Sequence, residues 1–246
     1  PERIKIMDTI KVNFKNIIAH RGQSGLEREN TASAFVAAGN RKNVGIETDV
    51  HVTADGKYII IHNDDTEQVT GVKMSVEGSC FADLRALRVI DMDETRDRAD
   101  LMLPTVTEYI RICKRYEKHC VFELKNAFTK EQIAEICEIF VGEGYMEHTT
   151  FITFVYENLV YLRELYPAQS AQYLASELTP AVIDKCTAIK VDLDVLHTAL
   201  TKENVAAAHA AGIEVNCWTV DSVADAERVI ACGVDYITSN ILESAE

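Results

Sequence analysis

Eight short runs rich in β-branched and aromatic residues recur along this chain, with helical patterns between most of them. The runs fall at 16–20, 44–50, 120–125, 149–154, 169–174, 188–192, 213–218 and 234–238. Apolar residues at helical period occupy 30–41, 104–118, 129–142, 156–166, 179–187, 201–211 and 221–232. Parallel neighbours cannot be joined by a tight hairpin, so strands separated by helix-length segments imply a parallel sheet. Eight of them predict a closed (β/α)8 TIM barrel, although an open doubly wound sheet shares the alternation. Local punctuation agrees with the helices. Thr129 and Gln132 have capping-box spacing, Thr201 is placed as an N-cap, and Gly212 and Gly233 stand where helices give way to strands. No Gly/Ser/Pro-rich linker interrupts the series, so residues 1–246 read as one domain.

One run breaks the pattern. Residues 57–62 (KYIIIH) are strand-like, but only TADG separates them from the second strand. That is too short for a parallel crossover. With Asp55-Gly56 as the turn, HVTADGKYIIIH predicts an antiparallel hairpin beyond the barrel rim. Pairing positions that sum to about 110 then sets His62 opposite Glu47 or Thr48. Residues 64–103, including DMDETRDRAD, read as an irregular, charged surface segment. The stretch from about 51 to 103 is therefore an insertion after the second strand.

Charge and composition limit the partners. A formal net charge of −14 argues against nucleic acid, whose binding needs a basic surface. It also repels anions at long range, so any phosphate site must be built locally, from a metal ion or a few placed cations. No apolar run approaches the roughly 18 residues of a membrane span, which predicts no stable membrane insertion. The N-terminal PERIKIMDTIKVNFKN carries charges throughout and does not read as a signal peptide, while a start at Pro1 leaves room for an upstream segment. Seven cysteines without a C-x-x-C pair suit free thiols, with Cys113, Cys137, Cys186, Cys217 and Cys232 in apolar-periodic stretches. A cytoplasmic location is expected.

The ends of the first three barrel strands carry the chemistry. The first ends in His20-Arg21, the second bears Glu47 and Asp49, and the third ends in Glu123-Leu124-Lys125. Alternate residues of a strand share a face, so Glu47 projects with Asp49 and Glu123 with Lys125. The C-terminal ends of barrel strands form the face on which barrel enzymes place their sites. The hairpin returns His62 to that rim. Three converging carboxylates repel unless one takes up a proton or a divalent cation lies between them, and all-oxygen ligands select Mg²⁺ or Ca²⁺. Arg21 can grip phosphate oxygens with its planar fork, Lys125 adds a point charge, and two histidines suit acid/base work near neutral pH. Each motif alone has a bland alternative: a structural histidine, a solvated strand face, a surface ion pair. Their order along neighbouring strand ends favours a site. His51, His119, His148, His197 and His209 lack that support and read as structural or exposed. Asp192 and Asp194 form a second-choice pair at a strand end, and Trp218 either walls the pocket or packs beneath it.

With these residues assembled, the chain resembles the glycerophosphodiester phosphodiesterase family. The resemblance rests on AHRG (19–22), ENT (29–31), GIETDVHVTADG (45–56), IIIH (59–62), LPTVTEYI (103–110), FELK (122–125), WTVD (218–221) and GVDYITSN (233–240), in family order. It implies a TIM barrel that hydrolyses a small phosphodiester to glycerol 3-phosphate and an alcohol. It also implies His20 and His62 as the catalytic acid/base pair, and Glu47, Asp49 and Glu123 as ligands of one Mg²⁺ or Ca²⁺. Arg21, Lys125 and Trp218 become substrate contacts. The substrate's own glycerol hydroxyl would attack phosphorus first, exploiting intramolecular proximity. Alternatives are lysophospholipase D-like or phospholipase C-like action on a lipid, and a barrel that binds a phosphate ligand without turnover. Departures from the family pattern stand at Arg28 for the usual proline, Asn63 for the usual aspartate after the second histidine, and Thr238-Ser239-Asn240-Ile241 for the usual T-D-x-P. Arg28 is where this chain is expected to differ most from its relatives.

Overall fold

The computed structural model describes residues 8–246; most of the segment read for a signal peptide lies outside them. A short strand, Ile10–Val12 (β1), precedes the barrel. The first barrel strand is Ile17–Ala19 (β2), and helix Ala32–Gly39 (α1) leads to Gly45–Val52 (β3). That strand turns back into Tyr58–Ile60 (β4), after which Glu67–Thr70 (α2) and Phe81–Ala86 (α3) occupy the insertion. The alternation resumes with Val106–Arg115 (α4), His119–Leu124 (β5), Lys130–Gly142 (α5), Thr149–Thr153 (β6), Tyr156–Leu165 (α6) and Ala171–Ala175 (β7). It continues through Pro180–Ile189 (α7), Asp192–Leu196 (β8), Lys202–Ala210 (α8), Val215–Trp218 (β9), Val223–Cys232 (α9) and Tyr236–Ser239 (β10), then ends in Leu242–Ser244 (β11).

The eight barrel strands are β2, β3, β5, β6, β7, β8, β9 and β10, each parallel to its neighbours. Because β2 pairs with both β3 and β10, the sheet closes on itself. The expected (β/α)8 barrel is the observed fold. Among the described residues no helix follows β10. Its place is taken by β1 and β11, which pair in parallel with Ile10 opposite Leu242. This ribbon escaped the sequence reading because three-residue strands leave no periodicity to detect.

The hairpin has the expected register. Val50 pairs with Ile60, His51 with Ile59 and Val52 with Tyr58, so the numbers sum to 110. The rest of the insertion is less irregular than its sequence suggests. Ile59, Ile61, Val69, Val76, Leu84, Val89, Leu101 and Leu103 form a separate buried cluster under the charged surface. Their spacing follows neither helix nor strand period, so the charges dominate a sequence reading.

The sixth barrel strand needs a correction. The run 188–192 was expected to form it, but α7 continues to Ile189, Lys190 ends it in a left-handed conformation with φ 54°, and β8 starts at Asp192. Ile189 and Val191 look strand-like, whereas Asp192 and Asp194 look like breakers; both acids in fact face the barrel interior.

Between barrel and helices, Phe35, Tyr109, Phe122, Phe140 and Phe151 form a continuous aromatic chain with centroids 5.0–5.9 Å apart. Inside the barrel, Ile18, Val121, Ile152 and Leu174 pack into a buried layer. The barrel is thus plugged, and the strand ends above the plug form a closed-bottomed pocket. Among the described residues, no helix is long and apolar enough to cross a membrane. All seven cysteines are free. Cys113, Cys120, Cys137, Cys186 and Cys217 are buried, Cys232 is half-buried and Cys80 is exposed.

Candidate active site

The pocket at the C-terminal mouth is lined by His20, Arg21, Glu47, His62, Glu123 and Lys125 on one side. Ile152, Phe154, Leu174, Asp194, Trp218, Thr219 and Thr238 complete it. Glu47, Asp49 and Glu123 are all buried, and each offers a carboxylate oxygen within 4.8 Å of the others. The register explains this: Glu47 lies opposite Val121 and Asp49 opposite Glu123 across β3 and β5.

Electrostatics separates the three acids. Burial, then the charges of Asp49 and Glu123, push the Glu47 carboxyl well above its usual range. Glu123 is pushed up to about 8, first by burial and then by Asp49. Burial acts on Asp49 in the same direction, but Lys125 and Arg21 outweigh it and hold this carboxyl low. The Lys125 ammonium lies 2.8 Å from Glu123 Oε1 and 3.5 Å from Asp49 Oδ1. The Arg21 Nε is 3.6 Å from Asp49 Oδ2, and its Nη1 donates to Glu29 at 3.0 Å. The Arg21 backbone N–H donates to Glu47 at 2.8 Å. Even so, Asp49 Oδ1 is buried and lacks a hydrogen-bond partner among the described residues. Two carboxyls displaced upward and one orphaned oxygen fit a hard divalent cation held by oxygen ligands.

Both histidines are oriented through Nδ1 by an amide oxygen. His20 Nδ1 lies 2.7 Å from Asn240 Oδ1. The Asn240 amide cannot be reversed, because its Nδ2 donates to Asp221 at 2.7 Å, while Ser24 also donates to its Oδ1. His20 therefore carries its proton on Nδ1, leaving the lone pair of Nε2 free, 3.9 Å from Glu47. Burial, reinforced by Arg21, lowers its pKa to about 4, so the ring is neutral. His62 repeats the arrangement with its neighbour: Nδ1 is 2.7 Å from Asn63 Oδ1, and the Asn63 amide donates to Gln68. Burial lowers its pKa as well, with Asp49 opposing and Arg21 and Lys125 assisting. Asn63 thus contacts His62 from the position of the family's usual aspartate.

Other expectations resolve around this cluster. Thr31 caps α1, accepting from Ala34 N–H. Asn30 instead donates to Asp49 at 2.7 Å and accepts from Thr48. Arg28 donates to the Gln68 backbone carbonyl, behind the residue that holds Asn63, and is not among the pocket lining. Glu27 pairs with Arg98 of the insertion at 2.7 Å. His51 is buried and braces the hairpin: its Nε2 meets the His62 carbonyl at 3.1 Å and Asn126 reaches its Nδ1. Trp218 walls the pocket, with Phe154 edge-on against it at 5.7 Å. Asp192 and Asp194 do not share an end. Asp192 faces the cavity at the opposite, N-terminal mouth and only Asp194 reaches the pocket. Asn30, Asn240 and Asp221 were invisible as site residues because their partners lie on distant elements. Their places in the ENT, WTVD and GVDYITSN stretches were the available signal.

The sequence model of the glycerophosphoryl diester phosphodiesterase family matches residues 20–243. The chain belongs to the glycerophosphodiester phosphodiesterase family. Glycerophosphodiester phosphodiesterase of Bacillus subtilis is 26% identical to it over 91% of this chain and 82% of the relative. The enzyme of that name from Caldanaerobacter subterraneus is also 26% identical, over 91% and 93%. Among solved structures, a phosphodiesterase of Oleispira antarctica in complex with sn-glycerol-3-phosphate superposes with a TM-score of 0.84 at 25% identity, covering 92% of this chain and 93% of that one. As a glycerophosphodiester phosphodiesterase, the chain is an enzyme that acts on phosphodiesters. Its acidic cluster lies on the same strands as the family motifs read from the sequence.

Proposed function

We propose that this chain hydrolyses glycerophosphodiesters to glycerol 3-phosphate and an alcohol, with His20 and His62 as the acid/base pair. The observation that carries the reading is the matched suspension of the two imidazoles. Both line the pocket beside the carboxylate cluster, and each is fixed by an amide oxygen on Nδ1. Glu47, Asp49 and Glu123 would hold Mg²⁺ or Ca²⁺, which supplies Lewis-acid polarisation of a phosphoryl oxygen. Arg21 and Lys125 bind the phosphate charge, and the Glu29 contact of Arg21 keeps its fork in one orientation. His20, neutral at ordinary pH, accepts the proton of the attacking hydroxyl at Nε2. A bound phosphodiester anion offsets Arg21 and Lys125, which depress His62, and so favours the protonated imidazole that delivers a proton to the leaving oxygen. Attack by the substrate's own hydroxyl leaves a cyclic phosphate, which water opens to glycerol 3-phosphate with the two histidines in exchanged roles, His62 taking the proton of water and His20 returning its proton to the glycerol oxygen. The same reading treats residues 1–246 as one domain, with the segment after β3 as an insertion that presents His62.

The test is release of glycerol 3-phosphate from glycerophosphocholine in the presence of Mg²⁺ or Ca²⁺. His20→Ala and His62→Ala each lower kcat by at least about 100-fold, and Glu47→Gln removes stimulation by the cation. Near-wild-type turnover in either histidine variant overturns the assignment.

A further inference from the structure

The pocket holds one acid that neither the carboxylate cluster nor the histidines use. Asp194 projects inward from β8, is 1% exposed, and lines the pocket wall with Ile152, Leu174, Phe154 and Trp218. Its Oδ1 has no hydrogen-bond partner among the described residues. The nearby indole N–H of Trp218 is committed to the Asp194 backbone carbonyl at 3.3 Å, not to the carboxyl. An orphaned buried polar atom is destabilising, and an apolar residue on this apolar wall would avoid that cost. The group is therefore complementary to something that enters the pocket.

Its surroundings define that partner. Burial favours the uncharged carboxyl form, which both donates and accepts a hydrogen bond. Arg21 and Lys125 already face the same space, so an organic cation there would meet like charge. A hydroxyl is neutral and offers both a donor and an acceptor. The cavity, about 120 Å³, has room for a short polyol and not for an acyl chain.

We propose that Asp194 binds a hydroxyl of the glycerol half of the substrate and thereby selects glycerol among alcohols esterified to phosphate. The assignment rests on the phosphodiesterase reading above and adds a specificity residue to it. A site built to bond a hydroxyl discriminates against the analogue that lacks it, because its own buried group is then left unpaired.

Calorimetric titration of the Mg²⁺-loaded protein separates the possibilities, using sn-glycerol 3-phosphate, n-propyl phosphate and inorganic phosphate. Wild type binds glycerol 3-phosphate at least about tenfold more tightly than n-propyl phosphate. Asp194→Leu reduces that ratio to within about twofold while its affinity for inorganic phosphate is unchanged, and Asp194→Asn, which keeps a donor and an acceptor, retains part of the preference. A Leu variant that keeps the full preference overturns the assignment, as does a loss of inorganic phosphate affinity equal to that of glycerol 3-phosphate. Should the Leu variant not fold, Asp194→Ala, which removes the polar group with less bulk, is judged by the same ratio. A wild type that hydrolyses glycerophosphocholine but ignores Asp194 substitution sinks only the Asp194 role. A wild type that neither hydrolyses the diester nor prefers glycerol 3-phosphate to inorganic phosphate sinks the phosphodiesterase reading with it.

Discussion

Gly22 follows His20-Arg21 with φ +76°, and a Cβ on it would lie 2.6 Å from the Ala34 carbonyl carbon of α1. The absent side chain lets α1 pack directly under the turn that presents His20 and Arg21. Gly22→Ala is therefore expected to lose about 1–3 kcal/mol in urea unfolding, from strain and from displacement of α1. A change smaller than about 0.5 kcal/mol would mean that the turn has slack. The residue scale also shows what a strand-end argument misses. His20, Glu47, Asp49, Glu123 and Lys125 were legible because local alternation decides which way a strand residue points. Asn30 and Asn240 were given no role there, because each bonds a partner on another element, whereas Asn63, flagged as a departure, holds the His62 beside it.

At the scale of elements, β4 carries one histidine out to the rim, and its support is separate from that of the barrel. Ile59 belongs to the small core of the insertion, whereas Ile133 belongs to the main core between helices and barrel. Both are fully buried. Ile59→Ala and Ile133→Ala should each cost about 2–5 kcal/mol, but only the first loosens the platform under His62. Below the melting temperature, kcat falls about tenfold for Ile59→Ala and less than twofold for Ile133→Ala, since misplacement near the chemistry is costly. Equal effects in steady-state assays would show that the insertion does not set the position of His62. The hairpin itself could be read from the sequence because its turn and its short connection leave one register. The cluster beneath it could not, since eight apolar residues at irregular intervals carry no period.

The whole molecule concentrates acid in a barrel mouth while bearing a net charge of −14. Without a cation, Glu47 and Glu123 hold protons in the folded state that they release on unfolding, because both carboxyls lie above their ordinary range. The native state then binds more protons than the unfolded one between about pH 4.5 and 8. Stability contributed by these two groups is present below that window and is lost as pH rises through it. In EDTA, the melting temperature should decline from pH 5 to pH 8.5, and Mg²⁺ or Ca²⁺ should restore it increasingly towards the alkaline end. Scanning calorimetry that shows no cation-dependent gain at about pH 8 would remove the three carboxylates as a metal site. The barrel as a whole was the most legible level, because eight strands joined by helical crossovers tolerate a four-residue error at β8.

One further consequence concerns biosynthesis. Asn240, which fixes the proton of His20 on Nδ1, lies 220 residues further along the chain. It is delivered by β10, the strand that closes the barrel against β2, and is followed at once by the β1–β11 ribbon. A nascent chain that has already folded its first seven strands would thus present a complete set of acids and cations but a base free to take the wrong tautomer. If His20 is the base proposed above, ring closure is the step that sets its tautomer, so a barrel trimmed before Asn240 is expected to lose activity as well as stability.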